Sequence, residues 1–142
     1  MVITILSCLF LFFIGALHVS WAFGVRWGSA AAIPVTQASH QPVFRPGITA
    51  TLTVALLLFA DTLLLGWQGR LIPHLPVFSW VTWGCWISLI VFGLRTIGDF
   101  RYVGLFKSIR STRFAKCDTY LFTPLCLWLC FSFGYALTFS AR

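Results

Sequence analysis

The stretch Arg95–Asp118, RTIGDFRYVGLFKSIRSTRFAKCD, decides how the rest of the chain is read. It holds six of the ten Lys and Arg residues and two of the three acidic residues. Apolar runs flank it on both sides, 76–97 before and 119–139 after. A bilayer core needs about 20 apolar residues in a helix, and each run is long enough. The stretch therefore reads as a short polar module joining two membrane-spanning helices.

Composition supports this. The chain has 142 residues, 59% hydrophobic and 9% charged, where a soluble domain carries about 25% charged residues. The mean hydropathy is +0.91. One domain, 1–142, is expected at this length. The net charge of +7 would suit nucleic acid in a soluble protein. Here the cations sit in loops of an apolar chain, where Lys and Arg set topology. The partner implied is the lipid bilayer, not nucleic acid.

Working outward, residues 2–24 form a first span and 48–67 a second, with 76–97 and 119–139 as third and fourth. The fold class is all-α, a four-helix transmembrane bundle. The first span lacks a basic leader and a small-residue cleavage site, so it reads as retained. Pro34, Pro42 and Pro46 with Gly28 and Gly47 make 25–47 a loop. Trp27 and Phe44 suit its membrane interface, and 68–75 is a tight turn. In the third span Trp80, Trp83 and Trp86 form a stripe suited to packing or an aromatic belt. Gly84, Ser88 and Gly93 allow close helix approach. Within the polar module, Tyr102, Leu105, Phe106 and Ile109 share a face at helical spacing. This predicts a short amphipathic helix lying in the interface. Asp118 is expected to cap the fourth span, with a start near Thr112 as the alternative.

Four spans put both termini on one side. The loops on the other side carry eight Lys and Arg residues, against Arg70 and Arg142. The positive-inside rule then places loops 25–47 and 98–118 in the cytoplasm and both termini outside an inner (plasma) membrane. His18 and Trp21, from the first span, would meet Arg95, Asp99, Arg101, Tyr102, Lys107 and Asp118 at that face. Arg95 and Asp99 are four apart and can pair if helical. Arg95, Arg101 and Lys107 would form an anion clamp for a small anionic or amphiphilic, lipid-like ligand. Trp21, Tyr102 and Asp118 would complete the pocket. The bland alternative is a boundary ion pair with non-specific lipid contact. His18 and Asp99 are the candidate acid and base if the chain is an enzyme. A His18 ring bonded to Asp99, Asp118 or a carbonyl is the structural alternative.

Other classes find little support. Five cysteines (Cys8, Cys85, Cys117, Cys126, Cys130) contain no C-x-x-C, which a thiol–quinone oxidoreductase would need. Cys126 and Cys130 share a helix face as packing residues. His18, His40 and His74 have no metal-ligand spacing, and a haem held by His18 and His40 has little behind it. Phosphate loops and nucleophile elbows are absent. No cofactor is indicated. Asp61 lies within the second span, so it is expected protonated, paired or facing inward. It could serve an ion pathway with His18. A further reading is an accessory subunit that docks a membrane partner protein or a second copy.

The module Arg95-x-x-Gly98-Asp99-Phe100-Arg101-Tyr102-Val103-Gly104-x-Phe106-Lys107, then Thr112-x-Phe114-Ala115-x-x-Asp118 and Pro124-Leu125-Cys126, resembles a small bacterial membrane-protein family. That family is catalogued as domain of unknown function 3995. His18-x-x-Trp21-Ala22, Trp27-Gly28 and Pro34 fit its first half. The resemblance covers nearly the whole chain. It implies a four-helix integral membrane protein and no particular activity.

Overall fold

The computed structural model describes residues 1–36, 41–44, 46–72 and 74–140, leaving aside the side chains at 30, 139 and 140. It is all-helical apart from an isolated antiparallel bridge between Val35 and Pro42. The elements are α1 (Val2–Ala22), α2 (Ser29–Ala32), α3 (Ile48–Gln68), α4 (Ser79–Ile97) and α5 (Arg113–Cys117). A π-helical turn (Asp118–Phe122) then leads into α6 (Thr123–Ser140). Among the described residues, four helical segments are long and apolar enough to cross a membrane: α1, α3, α4, and the continuous run Arg113–Thr138. Twenty-one residues in α1 give a length of about 31 Å, matching a hydrocarbon core of about 30 Å.

α1 packs along α3 and α4 along α6, and α3 against α4 joins the two pairs. Leu11, Leu65, Val81, Cys85, Leu129 and Phe133 form the centre of the core. The outward faces carry Phe13, Leu56, Leu63, Trp83, Ile87 and Leu94, all more than half exposed. In water such faces would be unstable; against acyl chains they are ordinary. Because lipid is as apolar as leucine, helix association rests on close packing and interhelical hydrogen bonds. Each helix pair supplies both. Ser7 Oγ and Ser132 Oγ lie 2.8 Å apart across α1 and α6, and Trp128 Nε1 donates to Ser7 Oγ at 2.9 Å. Cys8 donates to Thr62 O across α1 and α3, and Cys130 to Leu89 O across α6 and α4. A Cβ on Gly84 would come within 2.8 Å of Leu64, so the glycine lets α3 and α4 approach.

The two basic loops share one end of the bundle, since α2 packs against α5. Three expectations change there. The predicted amphipathic helix does not form: between Gly98 and Thr112 the described chain is turns and bends. Gly98 and Gly104, both at φ +88°, cross so closely that a Cβ on Gly98 would lie 1.8 Å from Val103 O. Asp99 Oδ1 also accepts the amides of Arg101, Tyr102 and Val103 at 3.0, 2.7 and 2.9 Å. A side chain that collects consecutive backbone amides competes directly with helix formation. The fourth span, in turn, starts at Arg113 rather than 119, so the alternative start near Thr112 is the one found. Its N-cap is Thr112, whose Oγ1 accepts from Ala115 N at 3.1 Å. Asp118 is therefore no cap but an inward-facing residue with no exposed surface. The π-helical turn immediately precedes Pro124. Proline lacks the amide that would close an α turn and crowds the carbonyl four residues back, so the helix widens there.

Candidate functional site

The structure distributes five of the eight sequence-predicted site residues over two places at the loop end and leaves Asp99, Arg101 and Tyr102 in the loop after α4. At the first, three elements deliver one ion cluster, in which Asp118 and Lys107 are buried and Arg95 is partly exposed. α4 supplies Arg95, the loop supplies Lys107, and the π-helical turn supplies Asp118. Arg95 Nη2 donates to Asp118 Oδ1 at 2.8 Å, and Lys107 Nζ to Asp118 Oδ2 at 2.7 Å. Oδ2 also accepts from Gly104 N at 2.9 Å and Thr123 Oγ1 at 3.2 Å. Lys107 is 3% exposed and its Nζ reaches Gly104 O as well. Buried ionised groups need partners with good geometry, and here one carboxylate serves two cations. Arg95 Nη1 is buried with no hydrogen-bond partner among the described residues. The cluster therefore keeps one positive charge in excess and one unsatisfied donor.

The expected Arg95–Asp99 pair does not form. α4 ends at Ile97, and Gly98 at φ +88° turns the chain away, so spacing by four no longer means a shared face. Asp99 is exposed and holds the loop together through the three amides described above. Its slight burial pushes its pKa up. The amides of Val103, Tyr102 and Arg101 outweigh that and leave the carboxyl below the usual carboxylate range. Arg101 lies over the Tyr102 ring at 5.3 Å, a cation–π contact within the loop. Arg101 and Tyr102 thus pair with each other, and the partners of Asp118 are others.

The second place is a cavity of about 530 Å³ between the end of α1, the first loop and the start of α3. His18, Arg26, Ser29 and Thr51 supply its polar wall, and Trp21, Val25, Ile33, Phe44 and Val54 much of the apolar wall. His18 Nδ1 bonds Ile14 O at 2.8 Å. A carbonyl only accepts, so Nδ1 carries a proton and donates it. The carbonyl alternative for His18 is therefore the one found, and the pairing with Asp99 or Asp118 is not. The His18 and Trp21 rings sit 5.0 Å apart. Trp21 Nε1 donates to Trp27 O at 2.7 Å, which pins the loop over the cavity edge.

Arg26 is a cation of the cavity wall, and sequence reasoning counted it only for topology. Its place three residues beyond a Trp-x-Phe helix end was the available signal. Thr123 and the Gly104 amide, both on Asp118, had none. Asp61 stands apart from both places: Ser88 Oγ donates to its Oδ1 at 2.5 Å, linking α3 to α4. His40 and Arg45 lie outside the described residues. Among those described, no three His, Cys, Asp or Glu side chains gather as metal ligands do.

No curated protein and no solved structure matches this chain. One family model matches residues 11–133, a span that takes in both the cavity and the ion cluster. The chain belongs to the family described as "Protein of unknown function (DUF3995)".

Proposed function

We propose that this integral membrane protein holds a small amphiphile with an anionic head in the cavity between α1, the first loop and α3. One observation carries the reading. A space of about 530 Å³, within the range of small-molecule sites, places one guanidinium and one imidazole on a largely apolar wall. Arg26 and His18 would meet the head. Trp21, Ile33, Phe44 and Val54 would line the tail. The Arg95–Asp118–Lys107 cluster then acts as scaffold, since α5 packs against α2, and Ser29 of α2 lines the cavity. The loop end faces the cytoplasm in this reading, because its Lys and Arg residues outnumber those opposite. The emphasis falls on binding: Asp99, the second acid/base candidate, is absent from the cavity wall and already accepts three amides.

Native mass spectrometry of the detergent-purified protein tests this. A discrete bound mass on the wild type, lost in both Arg26→Ala and His18→Ala at unchanged thermal stability, is the expected result. Equal retention by all three proteins would overturn it.

A further inference from the structure

The loop between α4 and α5 presents a surface that the cavity reading leaves unused. Phe100, Leu105 and Phe106 are 62%, 55% and 62% exposed. The Phe100 and Phe106 rings lie 6.2 Å apart, so they form one apolar tip. Phe100 sits at φ +61°, a region where a bulky side chain is strained. Its carbonyl is held there by Ser108 N at 3.1 Å and Ser108 Oγ at 2.8 Å. The crossing of Gly98 and Gly104 and the Asp99 amide cage fix the rest of the loop. A solvated loop would favour Gly or Asn at such a position and polar side chains at the tip. This one is built rigidly and displays aromatic rings.

Charge surrounds the tip. Arg101, Arg110, Arg113 and Lys116 are all exposed. Of the two carboxylates in the stretch, Asp118 is buried on Arg95 and Lys107, and Asp99 is capped by backbone amides. An exposed aromatic tip among uncompensated cations is complementary to a membrane interface rich in phosphate. Aromatic rings partition to the headgroup level, and each cation near an anionic surface adds attraction. In a chain anchored by four apolar helices, that surface lies directly beside the loop.

We propose that the loop 98–112, together with the exposed cations of α5, is a docking surface for anionic lipid in the adjoining leaflet. Phe100, Leu105 and Phe106 enter the boundary between headgroups and acyl chains. Arg101, Arg113 and Lys116 engage the phosphates. The site is separate from the cavity and holds whether or not the cavity is filled.

The test uses the full chain in nanodiscs of phosphatidylcholine mixed with phosphatidylglycerol. Lipids retained by the protein are counted by native mass spectrometry. The wild type should enrich phosphatidylglycerol about fivefold or more over the bulk mixture, the factor for one surface cation. The variant carrying Arg101→Gln, Arg113→Gln and Lys116→Gln should lose most of that enrichment, since Arg110 alone remains beside the tip. Hydrogen exchange supplies an independent readout. Amides of 98–110 should exchange more slowly with phosphatidylglycerol present than in phosphatidylcholine alone, and Phe100→Ser with Phe106→Ser should abolish the difference. Unchanged enrichment in the charge variant would overturn the proposal. So would exchange that ignores lipid composition in the wild type.

Discussion

Replacing Asp118 by Asn is the most demanding test of the ion cluster. The carboxylate takes Arg95 on one oxygen and Lys107, Gly104 N and Thr123 on the other, at 2.7–3.2 Å. An asparagine keeps one acceptor oxygen and turns an NH₂ toward donors on the other side. Lys107, 3% exposed, would then stand buried without its counter-charge. Removing one partner of a buried pair costs about 3–5 kcal/mol. For a chain of this size that corresponds to a Tm lowered by about 10 °C or more. Asp99→Asn is the matched control. All three of its amide contacts fall on one oxygen of an exposed side chain, and an asparagine oxygen can accept all three. Its loss should stay below about 1 kcal/mol. The assay is thermal unfolding in one detergent, followed by helical circular dichroism, with limited proteolysis reading out loop release. If Asp118→Asn and Asp99→Asn shift Tm alike, the cluster is not the anchor described here.

Other outcomes follow from the same contacts. Gly104→Ala places a methyl 2.5 Å from Gly98 Cα and Ile97 O at φ +88°; backbone cannot yield there, so a loss of about 2 kcal/mol or more is expected in the same unfolding assay. The Asp99 carboxyl is held below its ordinary value near 3.9. A depressed pKa contributes stability that is complete above the ordinary value and lost as pH falls through the lower folded one. Loop amide protection at 98–108 should therefore decline only in strong acid, and Asp99→Asn should flatten that decline in hydrogen exchange. Ser132→Ala removes the hydroxyl that meets Ser7 Oγ, with an expected loss of about 0.6–1.7 kcal/mol in reversible unfolding from detergent.

Sequence alone settled the architecture because membrane spans are one-dimensional signals. A run of about 20 apolar residues has few other uses. α3 lies within a residue of its predicted limits, and α1 and α4 within three. Gly84 and Ser88 were legible for the same reason: a small residue inside a span means close helix approach, and both meet α3. The loop end was legible as a concentration of charge and not as geometry. Helical spacing in 101–110 was real, yet two glycines and one aspartate overrode it, and periodicity says nothing about which backbone amides a side chain will capture. Asp118 shows the limit most clearly. Its sequence position, beside a start of apolar residues, suits a cap. Its depth depends on Thr112 capping six residues earlier and on Pro124 widening the turn between α5 and α6. Its partner Arg95 comes from another helix, and Lys107 from a loop folded back by Gly98 and Gly104. Partner choice over such separations depends on where three elements meet, so only the tertiary structure could make Arg95, Lys107 and Asp118 one cluster and leave His18 and Arg26 with a cavity of their own.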